Sequence, residues 1–225
     1  MTVPDESHAE TVEMHLAHDM LRREFALVPA LVRGVAEGDV DRAAVVADHL
    51  DLLTGLLDDH HRAEDTHLWP RLLARGPAPA VDALTSRYQG IEDVLSELGG
   101  VLATWRRTAP ARTTEDLGQL LERLHVLLGE HLALEEERVL PLVEEHLTAA
   151  EWDGVVQAAG AGTPEARIPL LLGMLIHEGD PEVVEKTLAK VPATVRPAVR
   201  EMSQQAYATH SERVHGTATP RREEV

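Results

Sequence analysis

His60-His-Arg-Ala-Glu64-Asp-Thr-His-Leu-Trp-Pro70 returns 71 residues later as His131-Leu-Ala-Leu-Glu135-Glu-Glu-Arg-Val-Leu-Pro141. Both stretches are His-x-x-x-Glu with a proline ten residues after the histidine. Positions i and i+4 share one face of a helix. The first pair continues an apolar stripe that includes Val46, Leu53 and Leu56 and runs on to His67. The second continues Leu117, Leu120, Leu124 and Leu127, and runs on to Arg138 and Leu142. Each pair therefore faces a core. A buried carboxylate alone costs several kcal/mol, roughly, and must protonate or meet a cation. Two such carboxylates with buried imidazoles in one core make sense around metal ions. Nitrogen and oxygen donors without thiolate suit iron or manganese.

Two more stripes complete the pattern. Met14, His18, Leu21, Phe25, Val28, Val32 and Val35 alternate by four and three, as do Leu84, Tyr88, Ile91, Leu95, Leu98 and Leu102. His18 precedes His60 by 42 residues and Tyr88 precedes His131 by 43, with apolar residues at +3, +7 and +10 after each. Two related helical hairpins follow, each offering one residue from its first helix and a His-x-x-x-Glu pair from its second. The expected architecture is all-α: an up-down-up-down four-helix bundle with additional C-terminal helices. The first helix ends at Glu37-Gly38-Asp39, with a kink expected at Pro29. The second spans about 41–73, bent or ended at Pro70. The third spans about 81–107, after a loop at Gly76-Pro77-Ala78-Pro79, and the fourth about 114–147.

Composition agrees. Aromatics are 3% and apolar residues 44% of 225 residues, with Leu, Val and Ala dominant, which favours helix packing over sheet. A net charge of −18 argues against nucleic acid and against anionic membrane surfaces. The lack of cysteine excludes disulfides, thiolate metal sites and cysteine nucleophiles. With neither a signal-like start nor an apolar span, the expected location is cytoplasmic. Thirteen histidines are the compositional feature to follow.

The bundle domain is expected over 10–147, a helical extension over 148–215 and a flexible tail over 216–225. Thr148-Ala-Ala-Glu151 has the form of a capping box. The run Ile168-Pro-Leu-Leu-Leu-Gly-Met-Leu-Ile176 must be buried, against the bundle or against a second copy; packing on the bundle is favoured, and a homodimer through the extension is the alternative.

These features resemble the hemerythrin-like, HHE cation-binding family, bacterial type with a C-terminal extension. The marks are His18-Asp19, His60-His61-x-x-Glu64-Asp65, and His131-Leu132-x-x-Glu135-Glu136 with Pro141. The resemblance implies an oxo- or hydroxo-bridged pair of iron ions, with manganese ranked below iron. His18, His60 and His131 would be terminal ligands, and Glu64 and Glu135 would bridge. Where the family has a histidine in its third helix, this chain has Tyr88. Tyr88 as a phenolate ligand and Tyr88 as a space-filling aromatic both stay open. A phenolate would favour Fe(III), which ranks redox chemistry on peroxide or nitric oxide above dioxygen carriage. The expected function is catalase-like peroxide decomposition or peroxide and nitric oxide consumption; the alternative is a dioxygen, nitric oxide or iron sensing module. His67 is a candidate acid/base just outside the ligand set. His15 is read as a rim residue and His61 as exposed or outside direct contact. His49 lies too far along its helix to share the site. His125 falls off its stripe, and His146, His177, His210 and His215 lie outside the pattern.

Overall fold

The computed structural model describes the backbone of residues 7–75 and 79–220, and their side chains except at 79–87 and 178. Most of the expected loop around 76–79, the side chain of Leu84 in the third stripe and the last five residues of the tail lie outside what is described.

Four long helices form the bundle: α1 (Val12–Arg33), α2 (Val40–Ala63), α4 (Pro79–Thr108) and α5 (Ala111–Arg138). Their neighbours run in a ring, with α1 against α2 and α5, and α4 against α2 and α5. Every residue of the first stripe, Met14 through Val35, is buried. Pro29 is accommodated inside α1 without ending it, whereas the helix stops at Arg33, before the expected Glu37. Gly38 then takes a left-handed φ of 79°, and Asp39 caps α2 by accepting the Arg42 N–H at 3.0 Å.

The second expected helix does not end at Pro70. A π turn, Glu64–Leu68, carries it into α3 (Trp69–Arg75). The Trp69 N–H bonds the Glu64 carbonyl five residues back. That wider turn comes just before the proline, whose missing N–H would break an ordinary α ladder. The fourth helix is broken where its proline falls: α5 ends at Arg138 and α6 (Leu140–His146) follows, with Pro141 in its first turn.

Two apolar clusters fill the bundle. The larger takes Phe25, Val28, Leu50, Leu53, Ile91, Leu98, Leu117 and Leu124. Here the Trp105 indole N–H donates to Thr114 Oγ1 at 2.8 Å, so the ring is buried with its polar atom satisfied. The smaller takes Leu68, Leu72, Val139, Leu140, Val143 and Trp152. The two His-x-x-x-Glu pairs lie where these clusters meet along the chain, one at the end of α2 and the start of its π turn, the other on α5.

The extension packs on the bundle. Helix α7 (Ala149–Ala161) opens with the expected capping box, Thr148 and Glu151 bonding reciprocally. It lies against α2 and the π turn. The apolar run forms α8 (Ile168–Glu178), packed on α1 and on the last helix, α10 (Arg196–His215); α9 (Pro181–Ala189) also touches α1. The described part of the tail folds back, with Ser211 Oγ donating to the Thr217 carbonyl at 2.8 Å and His177 Nε2 3.1 Å from the Pro220 carbonyl. Among the described residues no strand occurs beyond a single bridge between His8 and Thr148, and among them no helix is long and apolar enough to cross a membrane.

Close approach of α8 and α10 depends on Gly173. A Cβ there would lie 2.2 Å from the Ser203 carbonyl oxygen and 2.8 Å from Tyr207 Cβ. Backbone cannot yield as a side chain can, so Gly173→Ala is expected to lower stability by about 3 kcal/mol. Gly99→Ala, on α4 with nothing within 4 Å, should gain up to about 1 kcal/mol. Urea unfolding midpoints of the two variants check this; equal midpoints would mean the helices part freely.

Candidate metal centre

Helix α1 brings His18, α2 brings His60 and His61, the π turn brings Glu64, and α5 brings His131 and Glu135 to one level of the bundle. Their exposures are 0%, 9%, 3%, 2%, 2% and 0%. Two overlapping groups of donor atoms form, each within 4.8 Å: His18, His60 and Glu135, and His60, His61 and Glu64. His18 Nε2 lies 3.6 Å from Glu135 Oε2, and His60 Nε2 lies 3.1 Å from Glu64 Oε1. His131 joins through His61, their Nε2 atoms being 3.2 Å apart.

His61 is therefore a correction to the sequence reading, which left it exposed or out of contact. Consecutive helical residues point about 100° apart. That rule excludes a second residue from a centre lying on one face of a helix, but not from a centre wide enough to span two faces. Here His60 turns toward α1 and His61 toward α4 and α5. The Tyr88 ring sits on this side too, with centroid 4.3 Å from that of His61 and 6.2 Å from that of His131.

His67 is half-buried, and its ring makes no hydrogen bond or ion pair with the site residues. The π turn explains this, because a wider turn advances less per residue and carries His67 away from the face of Glu64. His15 is a rim residue as expected, its side chain 51% exposed and 3.8 Å from Glu136.

Glu136, the residue after the second His-x-x-x-Glu pair, organises the rim. It pairs with His18 Nδ1 at 2.8 Å and with Arg22 at 2.7 Å. A carboxylate on one ring nitrogen fixes the tautomer and aims the other nitrogen, Nε2, inward. The signal was the i, i+4 pair His18 and Arg22 on α1, facing the residue after Glu135. Although burial opposes it, the contacts with His18 and Arg22 hold Glu136 down to about 2.

The electrostatics call for a cation. Burial pushes Glu64 up to about 8 and Glu135 well above the carboxylate range, Glu64 adding to the rise at Glu135. Burial holds His18 down to about 3 and His61 to about 2, and lowers His60 as well. Burial also raises Tyr88 to about 12, with Glu92 and Asp58 adding. His18 Nε2, His60 Nε2, Glu64 Oε1 and both Glu135 oxygens are buried without a hydrogen bond. Buried polar atoms are nearly always paired, and here the orphaned ones all belong to groups able to bind metal.

An apolar cavity of about 420 Å³ adjoins His60. Leu16, Met20 and Leu56 line it from the bundle, Leu171, Leu172 and Leu175 from α8. A second cavity of about 70 Å³, walled by Trp152 and Val155, touches both His60 and Glu64.

No curated protein and no solved structure matches the chain. The model of the hemerythrin HHE cation-binding domain matches residues 10–143, which contain every buried histidine and glutamate of this centre. The chain belongs to the hemerythrin HHE cation-binding family.

Proposed function

We propose that this chain is a non-haem di-iron protein that decomposes hydrogen peroxide or consumes it with nitric oxide. The observation that carries the reading is the set of orphaned, buried donors beside an apolar cavity that reaches His60. His18, His60 and Glu135 would hold one ion, and His61, His131 and Glu64 the other. Four imidazoles and two carboxylates without thiolate form a donor set suited to iron. Bound iron would supply the redox couple that none of these side chains has.

The protein's part is to bind, orient and exclude. Glu136 holds His18 in one tautomer. The leucines of α1, α2 and α8 make the approach to His60 favourable for a small neutral molecule and unfavourable for an anion. Because α7 and α8 line that approach, the extension would govern access to the centre.

The test is iron-loaded full-length protein with hydrogen peroxide, followed by an oxygen electrode and by nitric oxide consumption. Dioxygen release or nitric oxide loss well above that of free iron supports the enzyme. If the loaded protein does neither but changes its visible spectrum reversibly with dioxygen or nitric oxide, it is a sensor or carrier. Iron content well under one per chain would sink the whole reading.

A further inference from the structure

A second cluster of buried donors lies away from the centre, where the bundle meets the last helix. Glu24 on α1, His49 on α2 and His215 at the end of α10 turn their side chains inward, 0%, 0% and 6% exposed. Glu24 Oε2 is 3.3 Å from His49 Nε2 and 3.8 Å from His215 Nε2. The three donor atoms lie within 4.8 Å of one another, and none makes a hydrogen bond. His49 is eleven residues before His60 along α2, about 16 Å at a helical rise. This cluster is therefore separate from the first.

Two of the three side chains are held through their other polar atom. Glu24 Oε1 accepts from Arg23 at 2.9 Å and lies 3.4 Å from the Tyr207 hydroxyl. The His49 Nδ1 atom pairs with His210 Nε2 at 3.0 Å. Outer partners of this kind fix the ring and carboxylate orientation in metal sites and leave one lone pair each for the ion. Charge-assisted hydrogen bonds close to about 2.7–2.9 Å, and these contacts are longer. Donors on a tetrahedral zinc, with bonds of about 2.0–2.2 Å, sit roughly 3.3–3.5 Å apart.

We infer that Glu24, His49 and His215 form a second metal site, for a divalent ion of the zinc type. Two imidazoles and one carboxylate are a recognised zinc donor set, with a water completing the tetrahedron. One ligand comes from each of α1, α2 and α10, so the ion joins the extension to the bundle. This fastens the helix that backs α8, whose leucines line the cavity beside His60.

Cobalt(II) is the probe, because tetrahedral nitrogen and oxygen coordination gives it intense visible bands. Full-length, iron-loaded protein should take up one further cobalt per chain with those bands. His215→Ala, at a helix end where folding is least at risk, should lose that equivalent and the bands while keeping its iron. Chelator should lower the melting temperature of the zinc-treated wild type and leave that of His215→Ala unmoved. Equal cobalt uptake by wild type and His215→Ala would overturn the site. So would absence of uptake by wild type, which would leave Arg23 and the Tyr207 hydroxyl as the partners that hold Glu24. Neither result bears on the iron content that tests the first centre.

Discussion

Replacing Glu64 and Glu135 together by leucine is expected to abolish metal binding at the bundle centre and to stabilise the metal-free chain. Both carboxyls are buried, and three of their four oxygens lack hydrogen bonds. Without an ion they must stay protonated in an apolar core, which burial already signals by raising both groups. Exchanging buried ionisable groups for apolar ones of similar volume commonly stabilises by about 1–4 kcal/mol. The pH dependence separates this from a general packing effect. Glu64 titrates near 8 in the folded chain against an ordinary 4.5. Between those values the folded state holds a proton that the unfolded chain has released. Its contribution is complete below about 4.5 and is lost as pH rises through about 8. His18 and His61 act oppositely, being lowered to about 3 and about 2 from 6.5. What they contribute is present above 6.5 and lost on acidification. Above pH 6.5 the carboxyls alone remain, so metal-free wild type should lose stability between pH 6.5 and 8.5. The double variant should stay level over that range. Urea unfolding at both pH values, after chelation, measures it. Parallel losses in wild type and variant would show that the carboxyls are not the cause.

The same pair shows why part of the centre was legible in the sequence. Glu135 and Glu64 sit four residues after a histidine on apolar stripes, and a 71-residue repeat sets one beside the other. His18 follows from that repeat, because its stripe matches that of Tyr88 position by position. The cap at Thr148 was equally local, since a capping side chain reaches only three residues on. The π turn at Glu64–Leu68 was not legible, because its sequence continues a helical stripe and only tertiary fit selects the wider turn. Its effect on His67 was hidden for the same reason. The cluster of Glu24, His49 and His215 was beyond reach in a different way. Its members lie as much as 191 residues apart and share no repeat. They meet only because α10 folds back against α2.

His61→Ala is expected to reduce bound iron from two ions to about one per chain, whereas Tyr88→Phe should leave both in place. The repeat calls for a donor from α4, and at the matching position α4 has Tyr88. The structure sets His61 Nε2 3.2 Å from His131 Nε2 at that end of the centre, with the Tyr88 ring packed over His61. A neutral imidazole needs no deprotonation to bind, since burial already holds His61 down to about 2. A phenol raised to about 12 must give up its proton first. The adjacent histidines would then divide, His60 serving the ion beside His18 and His61 the ion beside His131. The ferric protein should lack a phenolate charge-transfer band, so Tyr88→Phe should leave the visible spectrum unchanged. Its ring contact with His61 survives the substitution, because only the hydroxyl is removed. Iron analysis and absorption spectra of the two variants decide the matter. A long-wavelength band lost in Tyr88→Phe, together with full iron in His61→Ala, would return the sixth ligand to α4 and make the centre a ferric phenolate one.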